Sequence, residues 1–198
     1  MIRPEKKRIT RQRLIEAAAI EFAETGYARA NVSTISVRAG YAKGTVYNYF
    51  RSKHDLLLAV VEHAMNLLTQ EIRTEIEGID DPAQKLRRGL EVDFQFMVQN
   101  ELLSKVIIRE GFAADPEKQK EFFVSLEPIS TLVQEILEEG KRRSRFRPDV
   151  DSGLATLVAQ GIVGYLLLAR WTLEDNRLTH HQLADLAVKC FVEGILTR

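Results

Sequence analysis

Lys43, Thr45, Tyr47, Asn48 and Tyr49 fall in one short run, KGTVYNY, which carries a cation, a hydroxyl, two phenols and an amide but no carboxylate. That set suits a polyanion. Lys, Thr and Tyr donate to phosphate oxygens, while Thr and Asn can read base edges in a groove. Gly44 leaves backbone amides bare at the start of the run, where a helix N-terminus favours an anion. Lys53 is placed to clamp a flanking phosphate. With Thr34, these residues (Lys43, Gly44, Thr45, Tyr47, Asn48, Tyr49, Lys53) form the candidate contact set for double-stranded DNA.

Catalytic and metal chemistry find no comparable pattern. His54 and His63 lie nine apart, His180-His181 opens a helix without an HExxH motif, and no phosphate loop or Ser-His-acid arrangement is signalled. The single cysteine, Cys190, excludes an intramolecular disulfide and sits on an apolar stripe, where a buried structural thiol is the default. The reading is therefore a non-enzyme with no metal and no cofactor. One cysteine and a basic, polar N-terminus point to a cytoplasmic protein.

The elements that must position the KGTVYNY run are helices. Apolar residues recur at helical spacing throughout the chain, and no stretch alternates like a strand. Residues 1–9 read as a mobile basic arm. Thr10 caps a first helix through Glu24 with Leu14, Ala18 and Phe22 inward, and Gly26 ends it in a left-handed turn. Asn31 caps a second helix, about residues 32–39, that buries Val32, Ile35 and Ala39. Gly40 forms the corner, and a third helix over about 43–50 anchors on Val46 and Phe50, turning its other face outward. Two short helices around a glycine corner make a helix-turn-helix.

A long fourth helix follows from Ser52 to about Glu77. Asp81-Pro82 and Asp115-Pro116 start further helices, and Pro128 is expected to kink or split the one it falls in. An apolar helix over about 152–172 and a last one from Thr179 to about Leu196 complete about nine helices. The fold class is all-α, with a helix-turn-helix domain over residues 1–52 and a larger body over 53–198.

Charge follows the same division. The chain has 28 Lys and Arg against 28 Asp and Glu, yet residues 1–53 hold eleven basic and four acidic residues, leaving the body acidic. A basic head on an acidic body is the footprint of one end meeting a polyanion.

The run GYARANVSTISVRAGYAKGTVYNYFRSK resembles the DNA-binding domain of the tetracycline-repressor (TetR) family of bacterial regulators. The matches are Phe22, Gly26, Tyr27, Ile35, Ala39, Gly40, Gly44, Tyr47, Phe50 and Lys53, within a resemblance covering about residues 8–60. Ala42 departs from the usual Ser or Thr cap, Ser36 from an alanine, and Tyr41 from a smaller aliphatic residue; the Tyr41 ring is a further candidate to reach DNA. The resemblance implies a transcriptional regulator that represses from a palindromic operator and is released by a small, mostly apolar effector. An activator or architectural protein without an inducer is the alternative that the residues leave open.

The resemblance also implies a homodimer through the last two long helices and a cavity in the body. The 152–172 helix is apolar nearly all round, which calls for burial on more than one side rather than a membrane span, since Gln160 and two glycines interrupt it. Leu157, Gly161, Tyr165, Leu183, Ala187 and Phe191 are the candidate dimer residues. His63, Phe94, Arg109, Phe112, Phe123, Tyr165 and Trp171 are the candidate effector contacts.

Overall fold

The computed structural model describes residues 3–111, 116–173 and 179–196. Among them the chain is helical without a strand ladder. Its helices are α1 (Arg3–Thr25), α2 (Val32–Arg38), α3 (Lys43–Tyr47), α4 (Lys53–Glu75), α5 (Pro82–Gln99), α6 (Glu101–Gly111), α7 (Pro116–Ser125), α8 (Glu127–Arg142), α9 (Ser152–Thr172), α10 (His180–Ala187), a π-helical turn (Val188–Val192) and α11 (Glu193–Ile195). They group into two compact units: residues 1–64 with 101–126, and residues 65–100 with 127–198. The first unit therefore reaches beyond residue 52, taking in the start of α4 and the later helices α6 and α7.

In the first unit α1 packs on α2 and α6, and α2 on α3. Of the expected stripe, Leu14, Ala18, Phe22, Val32, Ile35, Val46 and Phe50 are buried and Ala39, at the end of α2, only partly so, while Ser36 is small enough to sit fully inside with its hydroxyl donating to the Ser33 carbonyl at 2.8 Å. The basic arm is not loose in this structure. Helix α1 already runs from Arg3, and Thr10, expected as its cap, lies within it and donates its hydroxyl to the Lys6 carbonyl at 2.9 Å. Ion pairing of Arg8 with Glu5 at 2.7 Å helps the first turn, a spacing the cap assignment overlooked.

In the second unit α5 packs on α8 and α10, and α8 on α9. The caps Asp81 and Thr179 form as expected, Thr179 within a capping box with Gln182, and Asp151 caps α9 in the same way. Pro128 splits its helix, so α7 ends at Ser125 and α8 starts at Glu127. Gly140 lets the Phe146 ring lie directly against α8; a β-carbon there would overlap the ring. Helix α9 is long and apolar enough to cross a membrane by length and composition, a test that a core helix of a soluble protein also passes.

Candidate DNA interface and effector cavity

The corner between α2 and α3 closes as a Schellman motif. Tyr41 N–H donates to the Ser36 carbonyl at 2.8 Å and Gly40 N–H to the Val37 carbonyl at 3.0 Å, with Gly40 at φ +80°. Asn31 caps α2 by accepting from Ser33 N–H at 2.8 Å. Helix α3 has no side-chain cap, as Ala42 implies, and is only five residues long; the expected continuation to Phe50 is a turn in which Asn48 and Tyr49 donate to Thr45 and Val46 carbonyls.

Val46, fully buried, fixes the rotation of α3. Thr34, Lys43, Gly44, Tyr47 and Asn48 are then exposed, and Thr45 and Tyr49 partly so. Nothing of the chain lies within 4 Å of where a Gly44 β-carbon would be, so the backbone there is open to close approach. Seven of the eight candidate DNA contacts are thus wholly or partly accessible, and the run from Lys43 to Tyr49 carries no carboxylate.

Lys53 is redirected. Its ammonium donates to the carbonyls of Tyr27, Ala28 and Ala30 at 2.8, 3.1 and 3.2 Å and lies 4.8 Å from the centre of the Tyr27 ring. An ammonium has three donors, and all three are spent on the turn between α1 and α2. Lys53 braces the turn instead of offering a free cation. Tyr41 is half-buried beside α1, where the Thr10 hydroxyl first and then the Arg13 guanidinium lower the pKa of its phenol from the ordinary value.

In the second unit a cavity of about 40 Å³ opens between Ile72 of α4, Leu86, Leu90 and Asp93 of α5, Ile129, Leu132 and Ile136 of α8, and Ala159, Gln160 and Val163 of α9, with Phe191 and Lys85 also lining it. Its walls are mostly aliphatic. Lys85 is held by Glu139 at 2.8 Å. Asp93 has no hydrogen-bond or ion-pair partner among the described residues, and burial raises its carboxyl from the ordinary 3.8 to about 7. Gln160 donates its amide to Ser130 Oγ at 2.8 Å, while its Oε1 is buried without a partner.

None of the aromatic effector candidates among the described residues lines this cavity. Phe94 is fully buried elsewhere, Phe123 and Tyr165 are 51% and 66% exposed, and Trp171 is half-buried. His63 meets Gln12 at 3.2 Å in the first unit. Arg109 lines a separate, charged cleft of about 410 Å³ in that unit, beside Tyr27, Arg29 and Lys105. Phe112 lies outside the described residues. The missed signal was local: Leu86, Leu90, Asp93 and Met97 share one helix face, so a carboxyl stands in an apolar stripe.

The dimer candidates divide. Leu157, Gly161 and Tyr165 are exposed on α9, joined by Leu154 and Val158. Leu183, Ala187 and Phe191 are buried within the chain, because α10 and the π turn pack on α5. Cys190, expected to be buried, lies in the π turn and is exposed, off the face formed by Val188, Phe191 and Val192.

Comparison with known proteins places both halves. The profile of the bacterial regulatory proteins, tetR family, matches residues 14–60, and that of the tetracyclin repressor-like C-terminal domain matches residues 79–195. A fatty acid metabolism regulator protein of Bacillus subtilis (strain 168) is 25% identical over 96% of this chain and 97% of its own length. The HTH-type transcriptional activator FasR of Mycolicibacterium smegmatis is 27% identical over 84% of this chain and 74% of its own. Among solved structures, the transcriptional regulator FadR from Bacillus subtilis in complex with stearoyl-CoA superposes with a TM-score of 0.79 at 24% identity, covering 93% of this chain and 98% of that one.

Proposed function

The chain belongs to the TetR family of DNA-binding transcriptional regulators, and from that premise we propose that it is a cytoplasmic homodimer that represses genes of fatty-acid metabolism and leaves its palindromic operator when a long-chain acyl-CoA enters the body. The observation that carries the effector class is the aliphatic wall of the cavity between α4, α5, α8 and α9. Such walls suit a chain of methylenes rather than an aromatic or ionic compound. The metabolic role named for the Bacillus subtilis relative and the stearoyl-CoA in the FadR complex support the same choice.

Small-molecule sites measure roughly 300–1,000 Å³, so an acyl chain has to push apart the helices around a cavity of about 40 Å³. Two of those helices lead to the DNA-binding surface through the chain itself. Helix α4 runs unbroken from Ile72 at the cavity to Lys53, the brace of the α1–α2 turn, and α5 passes through Asn100 directly into α6, which packs on α1. A displaced wall therefore re-sets the recognition surface. Ligand and operator then weaken each other by one common factor.

The test is a fluorescence-polarisation titration on an operator found by in vitro selection from random DNA. Palmitoyl-CoA should dissociate the complex and free CoA should not; dissociation by neither would overturn the effector reading and leave the DNA-binding role intact. The FasR relative, named an activator, favours a second reading in which the same complex raises transcription. A promoter-reporter in a deletion strain decides between them: expression rises on deletion of a repressor and falls on deletion of an activator.

A further inference from the structure

Two polar groups line a mostly aliphatic cavity without a partner among the described residues. The Asp93 carboxyl sits on the apolar stripe of α5, between Leu90 and Met97, and has no hydrogen bond or ion pair among the described residues. Across from α5, on α9, Gln160 spends its amide N–H on Ser130 Oγ at 2.8 Å, which leaves Oε1 pointing away from that bond, buried and unsatisfied. Both residues line the same space. Buried polar atoms are almost always paired, and an unpaired one costs more than a hydrogen bond normally gains. Gln160 Oε1 is such an atom, and the half-buried Asp93 carboxyl adds a second polar group at the same cavity with no bond among the described residues; together they mark a place where something else completes the bonding.

We propose that the preferred effector is an acyl chain bearing a hydroxyl group part-way along it, received between the Asp93 carboxyl and the Gln160 carbonyl oxygen. This rests on the acyl reading of the cavity and specifies its ligand. The hydroxyl is chosen by the demands of the two groups. Gln160 Oε1 can only accept. Asp93, raised to about 7 by burial alone, carries its proton for much of the time near neutrality and then needs an acceptor. A hydroxyl both accepts from the acid and donates to the amide oxygen, and adds little bulk to the chain. An ammonium group fits less well. It would need Asp93 fully ionised among mostly apolar side chains, and the other charge lining the cavity, Lys85, is already paired with Glu139. An unsubstituted chain would seal both groups against methylenes and leave them unpaired.

The experiment is calorimetric titration of the full-length protein with palmitoyl-CoA and with a set of hydroxypalmitoyl-CoAs whose hydroxyl steps along the chain. Wild type should bind one positional isomer tenfold or more tighter than palmitoyl-CoA. Asp93→Leu and Gln160→Leu should each bind palmitoyl-CoA at least as tightly as wild type and lose the preference, while Asp93→Asn, which keeps shape and polarity, should retain part of it. Thermal melting establishes that each variant is folded. Equal affinity of wild type for all the chains, or a preference that survives both leucine variants, would overturn the hydroxyl site while leaving the acyl reading in place. Binding of none of them would overturn the acyl reading and this inference with it.

Discussion

Lys53 shows how far the role of one residue depends on what surrounds it. Its ammonium is saturated by the Tyr27, Ala28 and Ala30 carbonyls, so Lys53→Met should lower stability by about 1–3 kcal/mol and leave the salt dependence of DNA binding at its wild-type slope. Lys43→Ala should do the reverse: its side chain is exposed beside Gly44, and removing one phosphate contact should flatten the slope by about one ion. Thermal melts and binding isotherms over a salt series measure both. Asp93 makes a second prediction, in pH. Its unfolded carboxyl titrates near 3.8 and its folded one near 7. Between those values the folded state holds the extra proton, so stability is greatest below the lower pKa and falls as pH rises, with the whole penalty present above the upper one. Asp93 keeps some accessible surface because it lines the cavity, so the penalty is at most about 4 kcal/mol. Asp93→Asn should therefore melt higher than wild type, by a margin that widens from about pH 4 to about pH 8.

At the scale of elements, close packing and phase matter more than composition. Helix α8 accepts the Phe146 ring against Gly140, and the backbone N–H groups of Arg145 and Phe146 both donate to the Gly140 carbonyl at 2.8 and 3.2 Å. Arg145 then pairs with Asp81, the cap of α5, at 3.0 Å, so one loop fastens the end of α8 to the start of a cavity wall. Gly140→Ala must push the ring out of place and should cost about 1–3 kcal/mol, read as a shift of the urea midpoint with little change in slope. The π turn over Val188–Val192 works on phase. It keeps Val188, Phe191 and Val192, an i, i+3, i+4 set, on the buried side, while Cys190 faces outside.

For the whole molecule, the exposed row Leu154, Leu157, Val158 and Tyr165 on α9, 49% to 66% accessible in the single chain, is a larger apolar surface than isolated surface residues make. Gly161 lies on the same exposed side, with nothing of its own chain within 4 Å of an added β-carbon. Gly161→Arg should therefore fold normally as a chain and still fail to dimerise. Sedimentation should find monomers at micromolar concentration with an unchanged melting profile per chain, and affinity for a two-half-site operator should fall to that of a single half-site. A variant that remains dimeric would place the interface elsewhere.

The amino-acid sequence by itself determined the all-helical class, the corner at Gly40, the caps at Asn31, Asp81 and Thr179, the break at Pro128, and the accessible surface of α3. All of these follow from local chemistry: positive φ wants glycine, a helix start wants an oxygen acceptor, proline cannot continue a helix, and a buried Val46 turns its neighbours outward. Only the tertiary structure decided what Lys53 and Tyr41 bond, that Leu183, Ala187 and Phe191 close the chain's own core, and that the cavity is walled by aliphatic residues rather than by the aromatics. Each of those depends on which element arrives from far along the chain: the α1–α2 turn carbonyls lie more than twenty residues from Lys53, and α5 lies about a hundred from α10. Periodicity says which face of a helix is apolar. It does not say which partner covers that face, and the partner separates a core residue from an interface residue or a cavity wall.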